Sequence, residues 1–160
     1  MKIRVGWFGR PSASPFEDQV KDYRQRVHRR WPAEDRVLKP VAGGRDSDPV
    51  RVLRREAEIL EKMMDPGWRT VALDERGRVR TSEEFARWMA GLEDRGAPGV
   101  TFVLGSDLGL HSSVVEGADE TLSLSAMTLP HRLARLVLWE QLFRATQILS
   151  GGAYHRICVQ

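Results

Sequence analysis

Residues 2–8, KIRVGWF, alternate polar and apolar side chains with the two-residue period of a strand, and Gly9-Arg10-Pro11 breaks the run. Ser14-Pro15-Phe16-Glu17 has the form of a capping box with proline at the first helical position. Phe16, Val20, Tyr23 and Val27 then fall on one stripe, which predicts a helix to about Trp31, ended by Pro32. A short strand is expected over residues 36–41, followed by the connector Ala42-Gly43-Gly44. Asp48-Pro49 starts a second helix, to about Met64, with Val50, Leu53, Ala57, Leu60 and Met64 turned inward. Pro66-Gly67 stops that helix. Residues 68–73 make a compact apolar strand suited to a sheet interior, and Asp74-Glu75-Arg76-Gly77 is expected to turn at its end.

Thr81-Ser82-Glu83-Glu84 is another capping box, opening a helix with Phe85, Trp88, Met89 and Leu92 on its buried side. Residues 100–104, VTFVL, are the most strand-like run in the chain and should lie centrally. A short helix over residues 112–118 and a fifth strand over residues 121–124 follow. Strand and helix alternating in this way predict a doubly wound α/β sheet, mostly parallel, with helices on both faces and a single domain over residues 1–160. Ligands of such sheets bind beyond the carboxyl ends of the strands. Leu73-Asp74, the Gly105 to Gly109 loop and residues 124–129 all meet that edge, so one pocket built from the three is expected.

From Leu122 onward the pattern changes. Leu124-Ser125-Ala126-Met127-Thr128-Leu129 is uncharged and hydroxyl-rich, suited to a nucleobase-like ring held by main-chain amides, or equally to a buried crossing loop. A helix from Pro130 to about Leu149 carries apolar residues around an arc too wide for one core face. It is either buried centrally or paired with another subunit, and a subunit interface is the favoured reading. Gly151-Gly152 then forms a hinge before Tyr154-His155-Arg156, where an acid/base imidazole stands beside a fixed cation.

Composition changes this picture little; charge distribution changes it more. The 160 residues are 41% hydrophobic and 29% charged, which suits an ordinary globular chain long enough to bury a core. Residues 1–60 hold 14 Lys/Arg against 9 Asp/Glu, whereas residues 61–160 hold 11 against 13. A basic first half dominated by arginine hints at an anionic polymer, and a solvated surface is the plainer alternative. Lys21, Arg24, Arg26, Arg29 and Arg30 on the first helix are the best candidates for contacts to the backbone of such a polymer. No apolar run has the length of a membrane span and no signal segment opens the chain; with the single Cys158, a reduced cytoplasmic setting is expected.

Several chemistries find no pattern. The dinucleotide and phosphate-loop glycine motifs are absent, and so is a Gly-x-Ser-x-Gly elbow. The dispersed histidines show no metal-ligand spacing: His28 and His111 read as surface residues, and His131 as a capping or structural one. Gly105-x-x-x-Gly109 permits close backbone approach to a ligand, though such a pattern alone is more often a turn.

The octet Leu124-Ser125-Ala126-Met127-Thr128-Leu129-Pro130-His131, the apolar helix after it and the terminal Tyr154-His155-Arg156 resemble the ribosomal RNA large subunit methyltransferase H family, of the SPOUT superfamily. Leu73-Asp74-x-x-Gly77-x-x-x-x-Ser82 and Gly105-x-x-x-Gly109-Leu110 match in order and spacing. The resemblance implies a SPOUT-type knotted α/β fold with a C-terminal trefoil knot, and a homodimer. It implies S-adenosylmethionine as cofactor and methylation of N3 of a pseudouridine in the helix 69 loop of 23S ribosomal RNA, on the assembled ribosome. By the same carry-over Leu73, Gly105, Leu124, Ser125, Ala126, Met127, Thr128 and Leu129 line the cofactor pocket. Tyr154, His155 and Arg156 reach a substrate-facing site across the dimer. This chain departs from the family pattern at Ser106, Leu108 and Ala153. A methyltransferase for another RNA position, or a non-catalytic ribosome-binding factor on the same scaffold, are the alternatives the residues leave open.

Overall fold

The computed structural model describes residues 1–11, 14–41 and 48–154. The connector at 42–44 and the tail residues His155, Arg156 and Cys158 lie outside the described residues. The elements are β1 (Lys2–Phe8), α1 (Glu17–His28), β2 (Ala33–Leu38), α2 (Pro49–Glu61), β3 (Arg69–Val79), α3 (Ser82–Asp94), β4 (Gly99–Leu104), α4 (Ser112–Gly117), β5 (Glu120–Ser123) and α5 (His131–Leu149). The five strands form one all-parallel sheet in the order β2-β1-β4-β3-β5. β4 is the middle strand and every one of its residues is buried, as its unbroken apolar run requires.

The two faces of the sheet are covered differently. One core joins Ile3, Val5, Val71, Phe102 and Leu122 of the sheet to α1, α3 and α5. The opposite core joins Phe8, Ala72 and Val103 to α2 and α4. α5 wedges between α1 and α3, which buries Leu138, Trp139, Leu142 and Ala145. That central position accounts for much of its wide apolar arc, while Leu133 and Val137 remain partly exposed.

Local physics explains where the structure departs from the pattern. α1 begins at Glu17, because Ser14 Oγ accepts from the Phe16 backbone N–H at 3.3 Å instead of capping the helix. Glu17 cannot reach back to complete a capping box, since its carboxylate binds Arg135 at 2.8 Å. The helix ends at His28, not Trp31, and His28 Nδ1 accepts from the Ala33 N–H at 2.9 Å, turning the chain into β2. β2 starts three residues earlier than expected, pairing Ile3 with Ala33 through Phe8 with Leu38. Pro40, placed inside the expected strand, has no N–H to give a ladder.

α2 has the expected cap, with Asp48 accepting from the Val50 N–H at 3.0 Å. Its inward stripe is rotated, to Val52, Glu56, Ala57, Leu60 and Met63, and Val50 is exposed. The rotation brings Glu56, a carboxylate that apolar patterning rejects, into contact with the sheet edge. The expected turn at 74–77 is an excursion inside β3: Leu73 and Arg78 both pair with Leu122. Gly77 permits it, because a Cβ there would lie 2.7 Å from the backbone of Thr121 and Leu122. α3 matches the sequence pattern closely, with Thr81 and Glu84 closing a reciprocal capping box.

Candidate active site

Three segments meet beyond the carboxyl ends of β3, β4 and β5 and enclose a cleft of about 530 Å³. Leu73 to Arg76, Leu104 to Leu110, and residues 122–131 together with Ala134 line it; within that last stretch Ser123 and Ala126 stand outside the lining. Leu73, Gly105, Leu124, Ser125, Met127, Thr128 and Leu129 therefore share one cavity, and Ala126 is exposed beside it. The floor is aliphatic: Leu73, Leu104, Leu122 and Leu124. Carboxylates stand in the wall, from Asp74, Glu75 and Asp107.

The hydroxyls of the uncharged loop hold the loop itself. Ser123 Oγ donates to the Ser125 carbonyl at 2.8 Å, and Ser125 Oγ accepts from the Met127 N–H at 2.9 Å. Thr128 Oγ1 donates to Glu75, bridging the loop to the β3 excursion. Asp74 accepts from the backbone N–H of Arg76 at 2.9 Å and from its guanidinium at 2.8 and 2.9 Å. Those guanidinium bonds hold its pKa below the ordinary aspartate value, against the opposing effect of burial. Loop backbone is thus fixed by local hydrogen bonds, which leaves its apolar side chains free to face the cavity. Met127, 76% exposed, and Leu108, 48% exposed, form apolar lips.

The Gly105 to Gly109 loop closes on itself. Gly109 N–H donates to the Ser106 carbonyl at 2.9 Å, and Gly109 has a φ of +83°. A Cβ on Gly105 would sit 2.2 Å from the Gly109 carbonyl oxygen, so the turn's own backbone uses that space. Ser106 Oγ donates to the buried Glu56 carboxylate at 2.7 Å, tying the loop to α2. Asp107 Oδ1 lies 2.7 Å from His131 Nδ1, joining the loop to the start of α5. Neither Glu56 nor the Asp107–His131 pair is recognisable as part of the site from spacing, since each partner lies far away in sequence.

Beneath the first turns of α5 lies a buried ionic cluster. Arg135, 1% exposed, binds Asp35 at 2.6 and 3.1 Å and Glu17 at 2.8 and 3.2 Å. Its guanidinium carbon lies 4.0 Å from the Trp7 ring centroid. The indole N–H groups of Trp7 and Trp139 both donate to Asp35, at 3.1 and 2.8 Å. The Trp7 ring is in turn 6.3 Å from that of His131. The only sequence signal for this cluster is negative: Asp35 and Arg135 interrupt otherwise apolar faces.

Tyr154 stands elsewhere. Its hydroxyl donates to Glu140 Oε1 at 3.2 Å and lies 3.4 Å from the Tyr23 hydroxyl, and its ring packs edge-on to Phe143 at 4.8 Å. The Tyr23 hydrogen bond, burial and the Glu140 charge raise its pKa above the ordinary phenol value. Glu140 lies six residues beyond Ala134, an axial rise of about 9 Å along α5, so Tyr154 is not in the cleft of its own chain. On α1 and the turn after it, Arg26 pairs with Asp22 and Arg30 with Glu93, each at 2.7 Å, while Lys21, Arg24 and Arg29 form no ion pair among the described residues. No helix among those residues is long and apolar enough to cross a membrane.

A family model described as "Predicted SPOUT methyltransferase" matches residues 1–155. Proteins named ribosomal RNA large subunit methyltransferase H are similar along the whole chain. The one from Rhizobium leguminosarum bv. trifolii is 38% identical over 160 residues, covering 97% of this chain and 100% of its own. That from Anaeromyxobacter sp. is 39% identical over 160 residues, covering 98% and 100%. Among solved structures, a protein assigned to a methylase family from Neisseria gonorrhoeae superposes with a TM-score of 0.54 at 13% identity. It covers 99% of this chain and 88% of that one, and at such identity it speaks for the fold alone. The all-parallel sheet, the cleft at its carboxyl edge and near-complete coverage by named relatives agree: this chain belongs to the ribosomal RNA large subunit methyltransferase H family of SPOUT methyltransferases.

Proposed function

We propose that this chain transfers a methyl group from S-adenosylmethionine to N3 of a pseudouridine in the helix 69 loop of 23S ribosomal RNA, on the assembled ribosome. The observation that carries this reading is the convergence of Leu73, the Gly105 to Gly109 loop and the 124–129 loop, Ala126 apart, on one cleft. Its volume lies within the range of about 300–1,000 Å³ usual for small-molecule sites. The residues fit the cofactor by chemistry. Leu73, Leu104, Leu122 and Leu124 offer an apolar floor for a flat ring, and Asp74, Glu75 and Asp107 offer negative charge to a sulfonium and an ammonium.

S-adenosylmethionine when bound supplies a methyl already made electrophilic by the sulfonium charge. What remains for the chain is to position the nucleotide, remove the imide proton and exclude water. Alignment of the reacting atoms contributes on the order of several kcal/mol. His155, or a water it holds, accepts the N3 proton, and Arg156 stabilises the resulting anion or a neighbouring phosphate. Tyr154, through its phenol hydroxyl, serves as a hydrogen-bond donor beside them.

Because Tyr154 packs on the far half of α5, the tail of one chain serves the cleft of its partner in a homodimer. The partly exposed Leu133 and Val137 supply apolar surface for that association. The chain forms one SPOUT domain with a C-terminal trefoil knot, a reading supported by its return from edge strand β5 to a position between α1 and α3. Lys21 and Arg24 of α1, with Arg29 and Arg30 just past its end, contribute phosphate contacts, and the setting is the cytoplasm, where ribosomes are.

Two measurements test this. Calorimetric titration with S-adenosylmethionine should give saturable binding, weakened at least tenfold by Leu124→Arg. Mass mapping of 23S ribosomal RNA from a deletion strain should show one methylated pseudouridine missing, restored by the parent and not by His155→Ala/Arg156→Ala. Absence of saturable binding, or an unchanged RNA methylation pattern, overturns the reading.

A further inference from the structure

We propose that the first half of α2, through Arg51, Arg54 and Arg55, is a phosphate-binding rail for the RNA whose nucleotide enters the cleft. The proposal rests on the function inferred above and names a surface for it that apolar and charge patterning along the chain pass over.

Two contacts fix the direction of α2. Near its carboxyl end the Met63 side chain packs where a Cβ of Gly6, in mid-β1, would stand, and the Met63 carbonyl accepts from Arg4 at 3.0 Å. Seven residues earlier Glu56 meets Ser106, just past the end of β4 and in the wall of the cleft. α2 therefore runs from the carboxyl edge of the sheet back under β1. At about 1.5 Å per residue, the stretch from Pro49 to Glu56 projects roughly 10 Å beyond the level of Ser106, on the side where the cleft opens.

That overhang carries Arg51, Arg54 and Arg55, spaced three and four apart on neighbouring positions of one helical surface. All three are exposed, and none forms an ion pair among the described residues. Nine other arginines, by contrast, pair with a carboxylate. Asp48, at the tip of the overhang, is committed to capping the helix. Glu58, four residues from Arg54 and three from Arg55, forms no ion pair with either, and Glu61 reaches Ser113 of α4. Lys39 and Arg10, exposed just past the ends of β2 and β1, stand at the same carboxyl edge of the sheet.

Placing cations in the first two turns sets them against the positive end of the helix and against one another, which disfavours the free chain. An anionic strand laid along the overhang relieves both terms at once. Arginine suits it, because a planar fork grips phosphate oxygens bidentately. Phosphate contacts position without reading sequence, which leaves selection of the base to the cleft. Glu56, one residue from Arg55, links the rail to the cleft wall through Ser106.

The test uses the full chain with Arg51→Ala/Arg54→Ala/Arg55→Ala and, separately, Arg54→Glu/Arg55→Glu. Binding to purified bacterial 70S ribosomes and to protein-free 23S ribosomal RNA is measured from low to moderate salt, with calorimetric titration of S-adenosylmethionine as a second readout. Loss of three phosphate contacts should weaken both RNA-containing targets about tenfold or more and flatten the slope of log affinity against log salt by about two. Cofactor affinity and melting temperature should stay at the parental values. Unchanged ribosome affinity and salt slope in both variants overturn the rail, and a loss confined to ribosomes, with free RNA unaffected, overturns it in favour of a protein contact. If the parent binds cofactor but no RNA, the rail and the RNA substrate fall together; if the rail variants alone bind normally, only the rail falls.

Discussion

The two ends of α5 are held by opposite means. At the amino-terminal end Arg135 is sealed between Asp35, Glu17 and the Trp7 ring, with side-chain exposures of 1% for Arg135 and 4% for Asp35. Further along, Arg144 pairs with Glu140 on a surface where both remain partly exposed, and Tyr154 leans on that pair. A buried, fully hydrogen-bonded pair is rigid and unforgiving, whereas a surface pair contributes little and exchanges partners readily. The cleft end of α5 is thus built as a fixed wall, and its far end as a landing place where Tyr154 is held by weaker contacts. If the tail serves a second copy of the chain, as proposed above, that division keeps the cleft preformed while the far end of α5 stays adaptable.

The sharpest way to break this contrast is to mutate the two arginines in parallel. Arg135→Ala strands the buried Asp35 with two indole N–H groups and no cation, which should cost about 3–5 kcal/mol. A chain of this size should then melt roughly 10 °C lower, as seen by calorimetry. Arg144→Ala should cost no more than about 1 kcal/mol. Equal losses in the two variants would remove the distinction between wall and landing place.

Next in size is Gly105→Ala. Its Cβ would stand 2.2 Å from the Gly109 carbonyl oxygen, backbone that can move only by opening the turn. A cost of about 1–3 kcal/mol follows from the overpacking. Affinity for S-adenosylmethionine should fall at least tenfold, since Gly105 and Gly109 both line the cleft. Gly117→Ala, where a Cβ meets nothing within 4 Å, is the matched control and should leave affinity unchanged.

A smaller effect should appear in acid. Guanidinium hydrogen bonds from Arg76 hold Asp74 below the ordinary aspartate pKa of 3.8. A carboxylate with a depressed folded-state pKa stabilises fully above its unfolded value and loses that contribution as pH falls through the folded one. Asp74→Asn should therefore narrow the stability gap to the parent below about pH 4, and leave it constant near neutrality. A gap that persists unchanged through the acid limb of a urea-denaturation series would show that the Asp74–Arg76 pair is not what fixes the β3 excursion.

Sequence distance decides how much of this is legible in the chain alone. Thr81 and Glu84 are three residues apart, so their capping box can be read directly, and it forms. The all-apolar β4 declares its central place, and the three segments of the cleft declare their shared edge. Asp35 and Arg135 are a hundred residues apart, and no local rule predicts that a carboxylate on a strand will sit among tryptophans. For the same reason the α2 stripe departs from its pattern: apolar periodicity favours Val50 and Leu53, whereas Glu56 turns inward to meet Ser106. The excursion at Asp74 to Gly77 looks like a terminal turn because the next residues, Arg78 and Val79, pair with β5, a strand some forty positions further along. Motif likeness supplies what periodicity cannot, since Leu73, Gly77, Gly105 and the uncharged loop form one recognisable set without any geometry to join them.

The smallest expected change in stability carries the finest test of the tail. Tyr154→Phe keeps the ring against Phe143 and under Arg144, and removes only the hydroxyl shared with Tyr23 and Glu140. Those two bonds are long, at 3.4 and 3.2 Å, and Tyr154 is 40% exposed, so their loss should cost no more than about 0.5 kcal/mol. If the hydroxyl serves only to park the tail, methylation of ribosomal RNA should be unchanged or slightly faster, since the landing place grips less. If it donates a hydrogen bond in the partner's cleft, methylation should fall at least fivefold while the melting temperature hardly moves. Single-turnover methylation of 70S ribosomes separates the two, and Tyr23→Phe sharpens the result: it loosens the same landing place from the other side without touching the tail. A fall with Tyr154→Phe alone places the hydroxyl at the reaction, whereas matching effects from both variants confine it to the surface of α5.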